Sequence, residues 1–271
     1  IHVYGKGEGS CILGKCPSGS CISGIGRMGD PRPAVSLLAT FDEEEASIQA
    51  KKLNEINEER KAIVEQITQE ALAMVNKENH IHLLVNRGWH EGVLGIVAGK
   101  IMNETGKPTL VLTLKEDGSA KGSGRSIEAL NLFEMLDQMR DLFTYFGGHH
   151  AAVGLTMPSE NVTILQEKMN QYIVDRQIDL TRGPELRIDE VLLPNEVTVE
   201  RIDELKLLAP FGTDNPLPQF LFRQVQAANV KRIGANQQHL KFVLSDESSQ
   251  LDVVAFGFGT QEEELLNNLV D

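Results

Sequence analysis

The stretch YFGGHHAAVGLT, residues 145–156, places two glycines and two histidines directly before a run of small and apolar residues. Paired glycines cost backbone entropy, so the pattern predicts a turn at Gly147 and Gly148 where the backbone closely approaches a ligand. The run that follows predicts a strand. Because neighbouring strand residues point to opposite faces, only one of His149 and His150 can face a given site. A phosphate-contacting histidine beside a structural one is therefore favoured over a two-histidine metal clamp.

Composition indicates a globular protein with one large domain or two ordinary ones. The chain has 271 residues, of which 41% are hydrophobic and 24% are charged, as is usual for such proteins. No apolar run approaches the roughly 18 residues of a membrane span, and the N-terminus lacks the apolar core of a signal peptide, so we expect a cytoplasmic location. The net charge of −13 excludes a uniformly basic nucleic-acid coat but not a local basic groove.

The first 40 residues are predicted to be irregular, with the end of another domain beginning at about residue 25. Their three cysteines, Cys11, Cys16 and Cys21, are each separated by four residues, a spacing that does not match the C-x2-C pairs of structural zinc sites. The odd count argues against a closed disulfide framework. We expect plain thiols there.

Periodicity divides the rest of the chain into three parts. Thr40 and Glu43 form a capping-box pattern ahead of a glycine- and proline-free helix that predicts a connector at 41–77. Strands and helices then alternate over 78–182, which predicts an α/β domain. Short strands separated by Gly, Asn and Asp over 183–271 predict a small antiparallel β-barrel.

Three glycine-marked segments of the α/β part each follow or form a strand end. GWHEG leads into a helix whose N-terminus suits an anion, although a capped core turn fits it equally well. In KGSGRS the glycines would let backbone N–H groups converge, and an arginine can grip a phosphate bidentately, although a solvated hairpin is the competing interpretation. With YFGGHH they provide the candidate phosphate-binding residues His90, Ser123, Gly124, Arg125, Ser126, Gly147, Gly148 and His149.

These segments predict a binding surface and not a complete hydrolytic centre. They are rich in N–H donors and lack an obvious nucleophile. The sequence also lacks the clustered Asp and His residues that a two-metal phosphodiesterase requires. We therefore expect no catalytic residue and no metal ligand in this chain.

Five motifs occur in a characteristic order: GWHEGVLGIVAGKI, GSGRSI, GGHHAAVGLT, PFGTDNPLPQF and HLKFVL. Over about residues 25–260 the chain resembles the RecJ family of single-strand-specific DNA exonucleases, which belong to the DHH phosphoesterase superfamily. The resemblance implies a DHH-associated α/β domain that follows a long connector helix and precedes an OB-fold. GRMGDPRPAVSLL resembles the closing stretch of the catalytic domain, so the metal site would lie in chain outside this sequence.

The resemblance also implies a function. The chain would be the substrate-binding portion of a 5′–3′ single-stranded DNA exonuclease of DNA repair and recombination, inactive without its catalytic domain. The intact enzyme would use Mn²⁺ or Mg²⁺ to hydrolyse phosphodiester bonds. Single-stranded DNA is the implied substrate, and a single-strand-binding protein is a candidate partner. His149 matches the GGH histidine, Arg125 and Ser126 match the arginine-bearing motif, and His90 matches the GWHEG histidine.

The OB-like part is expected to extend the DNA track, because such folds combine cations that follow phosphates with aromatics that stack bases. The candidate cations are Arg223, Lys231, Arg232 and Lys241; Phe211, Phe222 and Phe242 are candidate stacking residues, with core packing as the alternative. Two other functions stay open. One is a stand-alone nucleic-acid-binding or partner-docking module. The other is a DHH phosphoesterase of small oligonucleotides, which the OB-like segment disfavours.

Overall fold

The computed structural model describes residues 19–180, 186–212 and 214–261. The residues up to 180 belong to one compact unit, and those from 186 onward belong to a second. Among the described helices, none is both long and apolar enough to cross a membrane.

The first unit begins with two helices, α1 (Gly19–Met28) and α2 (Arg32–Ala39). The prediction of irregular structure is therefore wrong for residues 19–40, whereas residues 1–18 and the three cysteine side chains lie outside the described part. Helix α1, GSCISGIGRM, is rich in glycine and serine and lacks a clear helical period of large apolar residues. A Cβ atom on Gly24 would lie 3.1 Å from both Arg60 Nε and Asn57 Oδ1, so α1 packs closely against the long helix Glu43–Leu72.

Helix α3 spans Glu43–Leu72 and ends a few residues before the predicted limit of the connector. Its N-cap is Asp42 and not Thr40, which corrects the predicted capping box. One carboxylate oxygen of Asp42 accepts hydrogen bonds from the backbone N–H groups of Glu44 (2.8 Å) and Glu45 (3.0 Å). Thr40 Oγ1 instead donates to the Glu45 carboxylate at 2.8 Å. Asp42 is two and three residues from these N–H groups, so its carboxylate accepts their hydrogen bonds directly and caps the first turn.

A five-stranded mixed sheet follows, in the order β1-β2-β3-β5-β4. Strands β1 and β2 are parallel, and every other neighbouring pair is antiparallel. The strands are β1 (His82–Arg87), β2 (Thr109–Leu114), β3 (Ser119–Arg125), β4 (Tyr145–His149) and β5 (Ala152–Pro158). The helices between and after them are α4 (Leu94–Thr105), α5 (Leu132–Asp137) and α6 (Val162–Asp175).

Helices cover the two faces of this sheet unequally. On one face, α5 and α6 bury a core that includes Leu110 and Leu155. On the other face, α3 and α4 pack over a core that includes Leu84 and Val111 of β1 and β2. The residues of β5 on that second face, from Ala152 to Thr156, are only half-buried. The β3–β5–β4 side of the second face is therefore accessible.

The second unit contains a three-stranded antiparallel sheet, in the order β8-β9-β10. Its buried face carries Leu240, Phe242, Leu244 and Val253. The described residues form an open sheet of the OB-like kind, which fits the predicted fold class. The strands of this sheet are β8 (Gln226–Ile233), β9 (His239–Ser245) and β10 (Gln250–Ala255), and they are preceded by β6 (Glu190–Val191), α7 (Val199–Leu205) and β7 (Phe220–Leu221).

Candidate functional site

Strands β3, β5 and β4 lie side by side and present nine residues on their accessible face. Residues in register on antiparallel neighbours share a face, and the register gives three cross-strand rows. We call these nine residues the open face: Lys121, Thr156 and Tyr145 in the first row; Ser123, Gly154 and Gly147 in the second; Arg125, Ala152 and His149 in the third. Two residues predicted from separate motifs, Arg125 and His149, thus meet in one row.

Arg125 is a half-buried cation with no counter-ion among the described residues. Its Nη1 donates to the Gly124 carbonyl at 2.7 Å and to Ser123 Oγ at 3.4 Å. A Cβ atom on Gly95 of α4 would lie 3.0 Å from Arg125 Nη2, so that glycine makes room for the guanidinium. Burial, and secondarily the charge of Arg27, lower the pKa of Arg125. Within the described chain it forms no ion pair with a carboxylate.

Arg27, at the end of α1, is a site residue that the sequence motifs did not reveal. Its charge acts on Arg125, and it too has no carboxylate partner among residues 19–180. Gly92 brings this end of α1 close, because a Cβ atom there would lie 1.8 Å from the Arg27 carbonyl oxygen. Two like charges held near each other favour an anion between them. Arg27 lies in the GRMGDP segment, which the sequence analysis assigned to the end of another domain.

His90 caps the short 3-10 turn Glu91–Val93, and its Nδ1 accepts a hydrogen bond from Gly92 N at 3.2 Å. That bond fixes the ring and leaves Nε2–H as the donor. His90 also lines a cleft of about 270 Å³ together with Met28 and Asp30 at the end of α1. It therefore lies beside the same helix end that carries Arg27.

The structure overturns the predicted roles of Gly124 and Ser126. Strand β3 is paired on both edges, so its glycines do not form a turn with converging free N–H groups. A Cβ atom on Gly124 would lie 2.8 Å from Val153 Cγ2 and 2.9 Å from Leu132 Cδ2, which makes it a packing residue. Ser126 is buried and donates its hydroxyl to the Leu130 carbonyl at 2.8 Å. Ser123 stays on the open face.

The GGH segment is a strand and not a turn, which corrects that prediction as well. Gly148 has a φ of 153°, and a Cβ atom there would lie 2.2 Å from the Ala152 carbonyl oxygen, so glycine is required for β4 to pair with β5. His149 and His150 are both exposed. The backbone carbonyl of His150 accepts a hydrogen bond from Leu132 N at 3.0 Å.

In the second unit, Lys231 of β8 and Lys241 of β9 stand directly opposite each other. Both are exposed, and neither forms an ion pair with a described carboxylate. Like charges in this position are destabilising, so an anion would relieve them. Arg223 is exposed nearby in the chain, whereas Arg232, also exposed, already has an interaction partner.

The phenylalanines predicted to stack bases are not the exposed ones. Phe242 belongs to the core, and Phe222 packs against that core, so stacking is wrong for Phe242. Phe211 is half-buried. Phe256 and Phe258 are exposed, and the ring of Phe256 meets His239 edge-on with centroids 5.1 Å apart. The Gly-flanked AFGFG segment after β10 was their only sequence signal.

Metal ligands are not clustered in the described parts of either unit. Among residues 19–180, 186–212 and 214–261, no three His, Cys, Asp or Glu side chains are arranged to hold an ion. The two candidate binding sites are therefore the open face and the pair Lys231 and Lys241, called the lysine pair below.

Residues 77–175 match the DHHA1 domain, and residues 188–270 match the RecJ OB domain. The chain carries the DHHA1 and OB domains of the RecJ family. The predicted fold class, an α/β DHH-associated domain followed by an OB-like domain, is thereby confirmed. All nine residues of the open face lie in the DHHA1 domain, whereas Arg27 precedes it and the lysine pair lies in the OB domain.

The curated relatives are single-stranded-DNA-specific exonucleases named RecJ. This chain is 37% identical over 246 residues to that of Bacillus subtilis (strain 168), covering 89% of this chain and 31% of the relative. It is 29% identical over 257 residues to that of Escherichia coli (strain K12), covering 89% and 44%. The chain thus spans from about a third to under half of the length of these relatives.

Solved structures give the same family. RecJ from Thermus thermophilus in complex with Mn²⁺ superposes with a TM-score of 0.70 at 26% identity, over 86% of this chain and 34% of that one. The same protein with Mg²⁺ gives a TM-score of 0.69 at 26% identity, over 87% and 36%. The part of RecJ that superposes on this chain therefore belongs to a protein whose structures contain Mn²⁺ and Mg²⁺.

Proposed function

We propose that this chain is the substrate-binding part of a RecJ-type exonuclease that removes nucleotides from single-stranded DNA in the 5′–3′ direction, in cytoplasmic DNA repair and recombination. The observation that carries the proposal is Arg125, a half-buried guanidinium on the open face with a second arginine, Arg27, nearby and no carboxylate partner among the described residues. The names of the curated relatives support the same substrate.

The hydrogen bonding of the Arg125 guanidinium supports a phosphate clamp. Its hydrogen bond to the Gly124 carbonyl fixes the guanidinium plane and leaves other N–H groups for a bidentate contact. His149 lies in the same row but two strands away, about 10 Å at the usual strand spacing. It would therefore contact a different point along the DNA strand.

The chemistry would belong to the intact protein. The RecJ structures with Mn²⁺ and Mg²⁺ support a divalent ion as its cofactor, which would activate water for phosphodiester hydrolysis. The described residues of this chain do not fit such an ion, so we assign them no catalytic step. Their contribution is to bind and orient the DNA.

The OB domain would extend the binding surface. A phosphate between Lys231 and Lys241 would relieve their mutual repulsion. Phe256, exposed beside His239, provides an aromatic face of the kind on which OB domains stack bases.

Binding of a fluorescent single-stranded oligonucleotide tests the phosphate clamp. We expect Arg125→Ala to raise Kd by roughly 5- to 150-fold, the equivalent of about 1–3 kcal/mol, for every base sequence tried. Arg125→Lys should recover only part of the affinity because lysine lacks the bidentate fork. Fluorescence anisotropy at two salt concentrations measures both.

Lys168→Ala is the matched control, because it removes one exposed charge from α6, on the opposite face of the sheet. It should leave Kd nearly unchanged. An Arg125→Ala variant that binds as tightly as the parent would refute the clamp. If Lys231→Ala and Lys241→Ala then abolished binding, the DNA site would belong to the OB domain alone.

A further inference from the structure

Tyr145 is an exposed aromatic residue at one corner of the open face. It is 66% exposed and has no hydrogen bond or ring contact with the described residues. The next residue, Phe146, faces the opposite side, with its ring centroid 5.1 Å from that of Phe133 and 5.3 Å from that of Phe143. Because side chains alternate along a strand, Tyr145 lies on the accessible side, where packing does not explain it.

Beside Tyr145 lies a floor of two glycines, Gly147 and Gly154, which face each other across β4 and β5. A Cβ atom on Gly154 would meet nothing within 4 Å, and one on Gly147 would meet only the phenol end of Tyr145, with Oη at 3.6 Å. Packing within the described chain therefore does not require glycine at either position. Glycine in a strand interior occurs at bulges, at tight bends and where another molecule approaches closely, and the register of β4 and β5 contains no bulge.

The charges near this floor indicate what that molecule is. Lys121 shares the row of Tyr145, two strands away, and is partly neutralised by Glu91 at 3.0 Å. Arg125 lies four residues further along β3 on the same face. A planar group that lies on Tyr145 and the two glycines would thus have β3, with the cations Lys121 and Arg125, along one edge. Tyr145 and Arg125 are two strands and four residues apart, about 16 Å at the usual strand spacing and rise. A single strand of several nucleotides would span that distance, with a base at one end and a phosphate at the other, whereas a bare floor offers an apolar protein segment few contacts.

We infer that Tyr145 stacks on a nucleobase of single-stranded DNA, above the glycine floor, while Arg125 holds a phosphate of the same strand. The inference rests on the proposed function and adds a base-binding position to it. Stacking on an aromatic ring accepts every base, so this contact would tighten binding without selecting a sequence.

Two fluorescent oligonucleotides of equal length test the inference with the full 271-residue chain. One carries ordinary bases and the other carries abasic sites throughout, so that both present the same phosphates. Tyr145→Ala should weaken binding of the ordinary oligonucleotide by about 5- to 150-fold, the range for loss of one base–aromatic stack. Binding of the abasic oligonucleotide should not change. Tyr145→Phe should bind both like the parent.

Phe41→Ala is the control for loss of an exposed aromatic, because Phe41 is 98% exposed and lies between α2 and α3, outside the open face. Equal affinity of the parent and Tyr145→Ala for the ordinary oligonucleotide would overturn the inference, as would an equal loss on both oligonucleotides. Arg125→Ala separates the two proposals, since it should weaken both oligonucleotides. If it weakens neither while Tyr145→Ala weakens the ordinary one, the phosphate clamp fails and the stacking contact stands.

Discussion

His82 is a single residue whose environment links stability to pH. It lies on β1 and is 1% exposed, and neither of its ring nitrogens has a hydrogen-bond partner among the described residues. Burial, and secondarily the charge of Lys107, lower the pKa of His82 from its ordinary value of 6.5. The folded chain therefore keeps this ring neutral at a pH where the unfolded chain protonates it.

We expect the free energy of unfolding to decrease as the pH falls below about 6.5. In that range the unfolded chain binds a proton at His82 that the folded chain does not. The stability that the neutral ring contributes is therefore fully present above pH 6.5, and it is lost as the pH falls toward the lower pKa of the folded chain. The loss between pH 7.5 and 5.5 can reach at most about 1.4 kcal/mol for one proton. Urea unfolding at both pH values measures it. His82→Leu should reduce the loss, and an equal loss in that variant would assign it to other groups.

Residue types were the most predictable part of the candidate site, and their surroundings were the least. The motifs predicted that Arg125 and His149 belong to one phosphate-binding surface, and the two residues lie in one cross-strand row. Gly124 and Ser126 have the same appearance in the sequence, but Val153 and Leu132 lie across from one and the Leu130 carbonyl binds the other. Those partners come from other elements, so spacing alone does not reveal them.

At the scale of elements, alternation and helical periods predicted the strands and the long helices. What they did not predict was that β3 and β4 each pair with β5, so that two expected glycine turns are strands. Helices α1 and α2 were missed although both pack against α3, α1 through Gly24 and α2 through Ala34 and Leu37. In both cases, tertiary contact and not local propensity decides the structure.

Gly154 of β5 and Gly124 of β3 allow a paired test of the roles of two strand glycines. Gly154→Ala places a methyl group in open space, so we expect unfolding free energy to stay the same or rise by about 0.4–1 kcal/mol. DNA binding should weaken by roughly tenfold, because the methyl group holds the strand off the floor. Urea unfolding and fluorescence anisotropy measure the two effects separately.

Gly124→Ala is the matched opposite on β3. Its Cβ atom would lie 2.8 Å from Val153 Cγ2 and 2.9 Å from Leu132 Cδ2, so we expect a destabilisation of about 1–3 kcal/mol from overpacking. If Gly154→Ala binds DNA as tightly as the parent, the open face does not admit DNA closely at that glycine.

At the scale of the whole molecule, an acidic chain is proposed to bind a polyanion. The net charge is −13, yet Arg27, Arg125, Lys231 and Lys241 have no carboxylate partner among the described residues. Local charge, and not the total, governs where an anion binds. Each domain thus has its own cationic site, and the two sites should contribute to binding independently.

The salt dependence of binding tests that independence. For single strands, log K falls with log[salt] with a slope of about −0.7 per phosphate contacted. We therefore expect Arg125→Ala to make the slope about 0.7 shallower, the Lys231→Ala/Lys241→Ala pair, which shares one phosphate, also about 0.7, and all three together about 1.4, while Lys168→Ala leaves it unchanged. Anisotropy titrations at four or more salt concentrations give each slope. A slope near zero in the parent chain would contradict a DNA track over both domains. It would favour a small anionic substrate instead, because only a ligand with few phosphates releases so few counterions.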